Sequence, residues 1–381
     1  MDLEGWETVG LYDPGAPEAE ERLALLEYLT ERGATVEQMV EAHRLGTLPA
    51  VAGDLVLQRS TFTVSVEEAA ALCGQPVERI LRILLALGLP MDADSTLPQG
   101  TGELITAFEQ GAALMGEEAI LAFTRVLGAA AINIAEAAVA LFYSELGPGS
   151  GREGSDELAR AQNSERATLA LTSVPDVLSR VLYAQFDRAA RRSALARDWT
   201  TPSGGHNEQS VTRGGEYVAL GFVDLVGSTR WAEGLSLRDQ SLALSRFESA
   251  AWSSAVLAGG RVVKMIGDEV FFAAPTADAA CRIGIEVCQA AADDPLLPPA
   301  RGAIGYGLVT PREGDFFGPL VNLISRLVGL ASPGELVATE STAEALSDGL
   351  WTLRELDPQL MQRLESPVRV FALSTPDSPP T

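Results

Sequence analysis

Lysine is almost missing from this chain. Of 381 residues one is lysine, Lys264, so the other 27 of the 28 basic residues are arginine. Lysine is a compact point charge with rotatable donors, whereas arginine is a wide planar fork. A lone lysine among arginines is either an accident of composition or a position that calls for the smaller group. Cysteine is scarce too: Cys73, Cys281 and Cys288 are the three present, too few for a disulfide framework. Cys281 and Cys288 are seven apart, which on one helix puts them about 10 Å apart, beyond bridging distance. Positive charge is short by a wide margin, 28 basic against 52 acidic residues for a net of −24. Duplex DNA and anionic membrane surfaces need a basic footprint, so both are poor partners; nucleotides, held by a few placed groups, are not excluded. The longest apolar run, residues 126–142, is interrupted by Asn133 and Glu136 and falls short of the ~20 apolar residues of a spanning helix. The acidic start Met1-Asp2-Leu3-Glu4 has no apolar signal core, so the expectation is a cytoplasmic protein with no membrane span.

What is present is ample material for packed cores, 46% hydrophobic and 21% charged residues, over a length that accommodates two or three domains. Residues 1–199 read as an all-α region. Leucines recur at helical spacing within 20–31, residues 66–89 hold two helical segments around Gly74-Gln75-Pro76, and 104–146 is rich in alanine and leucine. Residues 156–197 continue the helical period past a local break at Ser173-Val174-Pro175, and the best strand signal in this half is 56–64. Residues 200–214 (TPSGGHNEQSVTR, preceded by Thr200) form a polar, turn-rich linker. From 215 to 373 short β-rich runs alternate with helical ones in the order β-α-β-β-α-β-α-β, which predicts an α+β sandwich with a ferredoxin-like, palm-type centre. The proline-rich tail, 374–381, is expected to be disordered.

Three clusters in the second half carry chemistry. The strand 217–223 ends in Asp224, followed by Leu225-Val226-Gly227-Ser228-Thr229 at a helix start. A carboxylate there can cap the helix or hold a cation and its phosphates beside exposed amides. Asp268 follows at the tip of a hairpin, in Ile266-Gly267-Asp268-Glu269. Such tips favour Asp for turn reasons, yet two hard carboxylates brought across neighbouring strands suit Mg²⁺ or Mn²⁺. The third cluster is Gly314-Asp315-Phe316-Phe317-Gly318, then Asn322 and Arg326, which are i,i+4 on a helix. One helix face with Asn and Arg can be merely solvated, or can aim an amide and a guanidinium at a sugar-phosphate.

Taken together and in this order, Phe222-Val223-Asp224-Leu225-Val226-Gly227-Ser228-Thr229, Lys264…Gly267-Asp268-Glu269 and Gly314-Asp315-Phe316-Phe317-Gly318…Asn322…Arg326 resemble the class III nucleotide cyclase domain, here over about residues 215–373. The resemblance implies metal binding by Asp224, Asp268 and the Leu225 carbonyl, with two Mg²⁺ or Mn²⁺ ions per site. It implies purine selection by Lys264 and Asp315, phosphate contacts from the Gly227–Thr229 loop, ribose orientation by Asn322 and charge stabilisation at the α-phosphate by Arg326. Arg301 resembles the family's phosphate-binding arginine, although Ala303 stands where the family usually has glycine. An ammonium beside a carboxylate matches the N1 acceptor and N6 donors of adenine and mismatches guanine, so ATP is the expected substrate and 3′,5′-cyclic AMP with pyrophosphate the expected products. Sites of this family are shared across a dimer interface, and a chain that carries the whole set implies a homodimer with two equivalent sites.

Rival readings have their own residues. A diguanylate-cyclase-type palm accounts for Gly267-Asp268-Glu269 but leaves Lys264, Asp315, Asn322 and Arg326 unused. A catalytically silent nucleotide-binding module fits poorly with a complete residue set. Residues 63–89 have helix-turn-helix spacing, but the segment 77–87 offers only Arg79 and Arg82 with Glu78 beside them, too little for a recognition helix. The all-α half resembles the regulatory region of actinobacterial soluble adenylate cyclases, with 156–197 as the transmission helix. Residues 104–146 could take an apolar effector such as a fatty acid, or simply pack. A pH switch has two histidines available, His43 and His206, and the linker residue His206 is the better placed.

Overall fold

Capping signals set the helix boundaries of the first half. Thr35 and Gln38 exchange hydrogen bonds in a capping box at the start of one helix, Ser65 and Glu68 do the same at another, and Gly74, at φ 63°, closes the latter in the left-handed conformation. The computed structural model describes residues 3–60, 63–98, 100–146, 156–198, 215–357 and 368–376 and divides into two units, Met1–Ala184 and Gln185–Thr381. The linker 200–214, with His206, lies outside the described residues, as does 377–381 of the tail.

The first unit is helical: α1 (Leu3–Thr8), α2 (Ala19–Glu31), α3 (Val36–Arg44), α4 (Val51–Ser60), α5 (Val66–Cys73), α6 (Val77–Ala86), α7 (Thr101–Met115), α8 (Glu117–Leu146), α9 (Glu157–Leu171) and the start of α10 (Val174–Asp198), with one small strand pair, β1 (Thr63–Ser65) and β2 (Thr96–Pro98). One core gathers Leu25, Leu26, Leu29, Met39, Leu55 and Ala161; another gathers Ile80, Ile83, Leu84, Ile105 and Phe108. Two expectations change here. Residues 56–64 are not one strand: α4 runs to Ser60 and buries Val51, Ala52, Leu55 and Val56 on one stripe, because tertiary packing outweighs the β-propensity of the segment. Residues 156–197 form two helices rather than one. α9 belongs to the core, with Ala161, Ser164 and Thr168 buried, and lies so close to α4 that a Cβ on Gly53 would sit 2.7 Å from the Ser164 and Thr168 hydroxyls.

Within the helix-turn-helix segment Arg79 is bound to Glu109 at 2.6 Å and to Glu117 at 3.3 Å, and Arg82 to Glu117 at 2.8 Å, so both guanidiniums brace α6 against its neighbours. α8 leaves Phe123, Leu127, Ile132, Val139 and Leu141 exposed. Glu117–Phe142, 26 residues with a mean hydropathy of 1.6 over its 18-residue apolar stretch, is, among the described residues, the one helix long and apolar enough to cross a membrane. The interruptions at Asn133 and Glu136 do not shorten it as expected.

The second unit is built on β3 (Glu216–Leu225), α11 (Ser228–Glu233), α12 (Leu237–Leu257), β4 (Arg261–Ile266), β5 (Glu269–Ala274), α13 (Ala277–Asp293), β6 (Ala300–Arg312), β7 (Asp315–Phe317), α14 (Pro319–Leu327), β8 (Leu336–Thr339), α15 (Glu340–Glu344), β9 (Thr352–Glu355) and β10 (Val370–Ser374). The sheet order is β4-β5-β3-β6-β8-β10-β9, with β7 paired to β6. Its first four strands are antiparallel throughout, which is the ferredoxin-like arrangement expected from the sequence. Helices α12 and α13 bury Phe247, Cys281, Ile283, Val287 and Cys288 against one face of the sheet. Both cysteines are free and buried, and burial pushes the Cys288 thiol up to about 12. On the other face α14 sets Ile324 and Leu327 against Leu220, Phe222 and Phe271. Gly305 permits that approach: a Cβ there would meet Ile324 at 2.5 Å and Leu320 at 2.8 Å.

Candidate active site

Strand register assembles the first group. Asp224, at the end of β3, lies opposite Glu269 of β5 on one side and Arg301 of β6 on the other. The Leu225 amide donates to the Asp268 carbonyl at 3.3 Å, which ties the strand end to the β4–β5 turn, where Gly267 takes φ 66°. Asp224, Asp268 and Glu269 therefore crowd one corner. Burial first, then the Asp268 charge and a side-chain hydrogen bond with Asp268, raise the Asp224 carboxyl to about 6, against the opposing pull of Arg301. Burial and the same two aspartates raise Glu269 to about 7. The available cation is Arg301, whose Nη2 is 3.6 Å from Asp224 Oδ2, too long for a hydrogen bond. Its Nη1 leans on the Gly329 carbonyl at 3.5 Å, and its buried Nε has no hydrogen-bond partner. The corner thus holds an excess of negative charge and an unused buried N–H.

Next to it, Gly227 turns the chain with φ 69° into α11, whose first turn has no side-chain cap. Ser228 and Thr229 open this helix. Trp231 anchors it through Nε1 to the Leu296 carbonyl at 2.9 Å, and Val226 N donates to Pro299 O at 2.8 Å.

The second group is Lys264 and Asp315, joined at 2.5 Å from Nζ to Oδ2. Asp315 starts β7, and its other oxygen accepts from the Phe316 amide at 2.8 Å. Asn322 and Arg326 lie on the exposed side of α14, opposite its buried Ile324 and Leu327, with Pro319 at the helix start. No hydrogen bond or ion pair among the described residues joins the Lys264–Asp315 pair to the Asp224–Asp268 corner. Two residues went unassigned from sequence: Glu269, which strand pairing puts opposite Asp224, and Arg261, which donates to the Gly314 carbonyl at 2.8 Å. For Glu269 the signal was available, since a tight turn after Asp268 fixes the register of the next strand.

No protein-family model matches the chain. By sequence it is 29% identical to an uncharacterized protein of Mycobacterium tuberculosis over 375 residues, 98% of this chain and 94% of that one. It is 27% identical over 289 residues to an adenylate cyclase of Glutamicibacter nicotianae, covering 73% of this chain and 70% of the relative. An adenylate cyclase of Streptomyces coelicolor is 35% identical over 156 residues, 41% of this chain and 40% of its own. The chain is a sequence relative of the actinobacterial adenylate cyclases.

Proposed function

We propose that residues 215–373 convert ATP to 3′,5′-cyclic AMP and pyrophosphate, at two equivalent sites shared between two copies of the chain, and that the helical residues 1–199 regulate the rate. The observation that carries this reading is the Asp224–Asp268 corner, where burial and crowding push the Asp224 and Glu269 carboxyls up and where, among the described residues, the neighbouring cation Arg301 is 3.6 Å from Asp224. Asp224, Asp268 and the Leu225 carbonyl fit a hard divalent cation, with phosphate oxygens and water left to complete the coordination. Two Mg²⁺ or Mn²⁺ ions held there would acidify the ribose 3′-hydroxyl and neutralise the triphosphate.

The chain's own residues divide the remaining work. Lys264 donates to adenine N1 and Asp315 accepts from its N6 amine. Asn322 holds the ribose so that the 3′-oxygen faces the α-phosphorus in line with the leaving pyrophosphate. As the new P–O bond forms and the bond to pyrophosphate breaks, Arg326 donates to the α-phosphate oxygens, where negative charge accumulates. Arg301, with a spare Nε–H, and the Gly227–Thr229 loop take the terminal phosphates. On this reading the Lys264–Asp315 pair of one copy faces the Asp224–Asp268 corner of the other, so that each site takes residues from both.

The test is cyclic-nucleotide production by the full chain with Mn²⁺, from ATP and separately from GTP. Cyclic AMP is expected from ATP. The variants Lys264→Ala and Asp268→Ala should each be inactive alone and regain activity when mixed, since a mixed dimer retains one intact site. A mixture that stays inactive would confine the site to one chain. ATP binding without turnover by the parent would turn the reading towards a nucleotide-sensing module.

A further inference from the structure

Arg261 and Lys264 both lie on β4, three residues apart, an odd spacing that sends side chains to opposite faces of a regular strand. The pairing with β5 departs from regularity: Arg261 faces Ala273, Val262 faces Phe272 and Lys264 faces Phe271, which leaves Val263 as an extra residue bulged from the ladder. The partners of Arg261 and Lys264 are therefore two apart on β5, and the two cations share a face.

Both reach the same hairpin. β6 and β7 are joined by Glu313 and Gly314, at φ 55° and 83°, with Arg312 paired to Asp315 across the turn. Turns with two left-handed residues favour Gly, Asn and Asp, and Glu313 is the one non-glycine residue with positive φ among the described residues. The turn thus keeps its shape against a local cost, and something outside it must hold it. Arg261 Nη2 donates to the Gly314 carbonyl at 2.8 Å, while its guanidinium lies 5.0 Å from the centroid of the Phe316 ring. Lys264 takes the carboxylate of the very next residue, Asp315, at 2.5 Å. Hairpin and edge strand are pinned at two adjacent points, one to backbone and one to side chain.

The two pins differ in what a base would do to them. On the adenylate cyclase reading proposed above, on which this inference rests, adenine inserts its edge between Lys264 and Asp315, so that their direct ion pair opens. The Arg261–Gly314 bond runs to a backbone carbonyl and not to the Asp315 carboxylate, so on this reading it survives. We infer that Arg261 is the positioning residue for base selection, clamping the hairpin tip to β4 so that Asp315 stays at the purine edge once Lys264 has turned to the base. A planar guanidinium can stack on Phe316 and donate to a carbonyl at once, which an ammonium does less well.

The experiment measures KM and kcat for ATP and for GTP, with thermal unfolding alongside, in the full-length parent and the variants Arg261→Ala and Arg261→Lys. Loss of a charged hydrogen bond that positions the base is expected to raise KM for ATP about tenfold and to lower the preference for ATP over GTP by a similar factor, with kcat little changed. Arg261→Lys should recover part of both. A role in folding alone would lower the unfolding temperature and kcat and leave the ATP-to-GTP ratio where it was; that unchanged ratio would overturn the inference. If Arg261→Ala does not fold, Arg261→Gln, which keeps one donor for Gly314, is read in the same way. A parent that makes no cyclic AMP would overturn the cyclase reading and this role with it, whereas a parent that discriminates ATP from GTP no better than Arg261→Ala would overturn the role alone.

Discussion

In the helical unit the carboxylates of α9 are met by arginine forks from α2 and the residue after it. Arg22 holds Glu157 through two hydrogen bonds, at 2.6 and 2.8 Å. Arg32 holds Glu165 at 2.8 Å, places its guanidinium carbon over the Tyr28 ring at 3.5 Å, and the Tyr28 hydroxyl donates to the same glutamate. In the sheet unit Asp224, Asp268 and Glu269 share a corner with one arginine at 3.6 Å. Charges that are matched this closely lock helices together, and their desolvation is offset by directed hydrogen bonds. Carboxylates pressed together without such a match lower the stability of the fold, a cost that on the proposed reading is offset when a cation binds. The contrast separates architecture from chemistry within one acidic chain.

Removing charge from the corner should therefore harm activity and help the fold. Asp268→Asn is expected to lower cyclic AMP production about a hundredfold or more while raising the unfolding temperature in metal-free buffer. Adding Mn²⁺ should raise the unfolding temperature of the parent and leave that of the variant in place, because only the parent gains a ligand on folding. Equal Mn²⁺ responses would remove the corner from the cation site.

The Lys264–Asp315 pair sits between the two extremes, matched like a helical brace yet half exposed, at 45% and 26%. Exchanging the partners, Lys264→Asp with Asp315→Lys, decides which it is. The exchanged pair can restore an ion pair and the unfolding temperature, but it presents adenine with donor and acceptor reversed. KM for ATP is expected to stay at least about tenfold above the parent. Full recovery of ATP turnover by the exchange would make the pair a brace and nothing more.

Much of this site was legible in the sequence because its parts stand at strand ends and turns, where one residue fixes a position: Asp224 after an apolar strand, Asp268 in a tight turn, Lys264 alone of its kind. The ferredoxin-like strand order followed from the alternation of strand and helix. Arg261 was not legible, since its odd spacing from Lys264 places it on the wrong face until the bulge at Val263 is known. In the helical half, residues 56–64 end in the β-prone run Thr61-Phe62-Thr63-Val64, while α4 packs closely on α9 at Gly53 and continues to Ser60. The break that splits 156–197 is visible at Ser173-Val174-Pro175, but that α9 is a core helix depends on Glu157 and Glu165 finding arginines more than 130 residues away.

The matched half of the comparison predicts the opposite response to neutralisation. Arg22 and Glu157 are 24% and 18% exposed, so Glu157→Gln strands a largely buried guanidinium. A loss of about 2 kcal/mol from the helical unit is expected, read as a lower unfolding temperature, where Asp268→Asn gives a higher one. Two neutralisations of the same sign would collapse the distinction between the units.

Asp278 offers the finest version of the contrast, because it is a matched carboxylate inside the sheet unit. It stands in the first turn of α13 and accepts from Ser347 N at 3.1 Å, Ser347 Oγ at 2.6 Å and Trp351 Nε1 at 2.7 Å. Burial alone would raise its pKa, yet the hydrogen bonds from Ser347 and Trp351, with Arg282 nearby, hold it below its ordinary value of 3.8. A carboxyl depressed in the folded state stabilises the fold at every pH above its unfolded value, and that contribution disappears as pH falls through the folded one. The parent should therefore exceed Asp278→Asn in stability by a constant margin between about pH 5 and 8, no more than about 1 kcal/mol given its contact with solvent. Below about pH 4 the margin should begin to narrow, and it should close as pH falls through the folded-state pKa and Asp278 takes up its proton. A margin that does not narrow at all as pH falls below about 4 would mean that Ser347 and Trp351 serve the neutral acid as well as the anion, and that charge matching at Asp278 contributes nothing of its own.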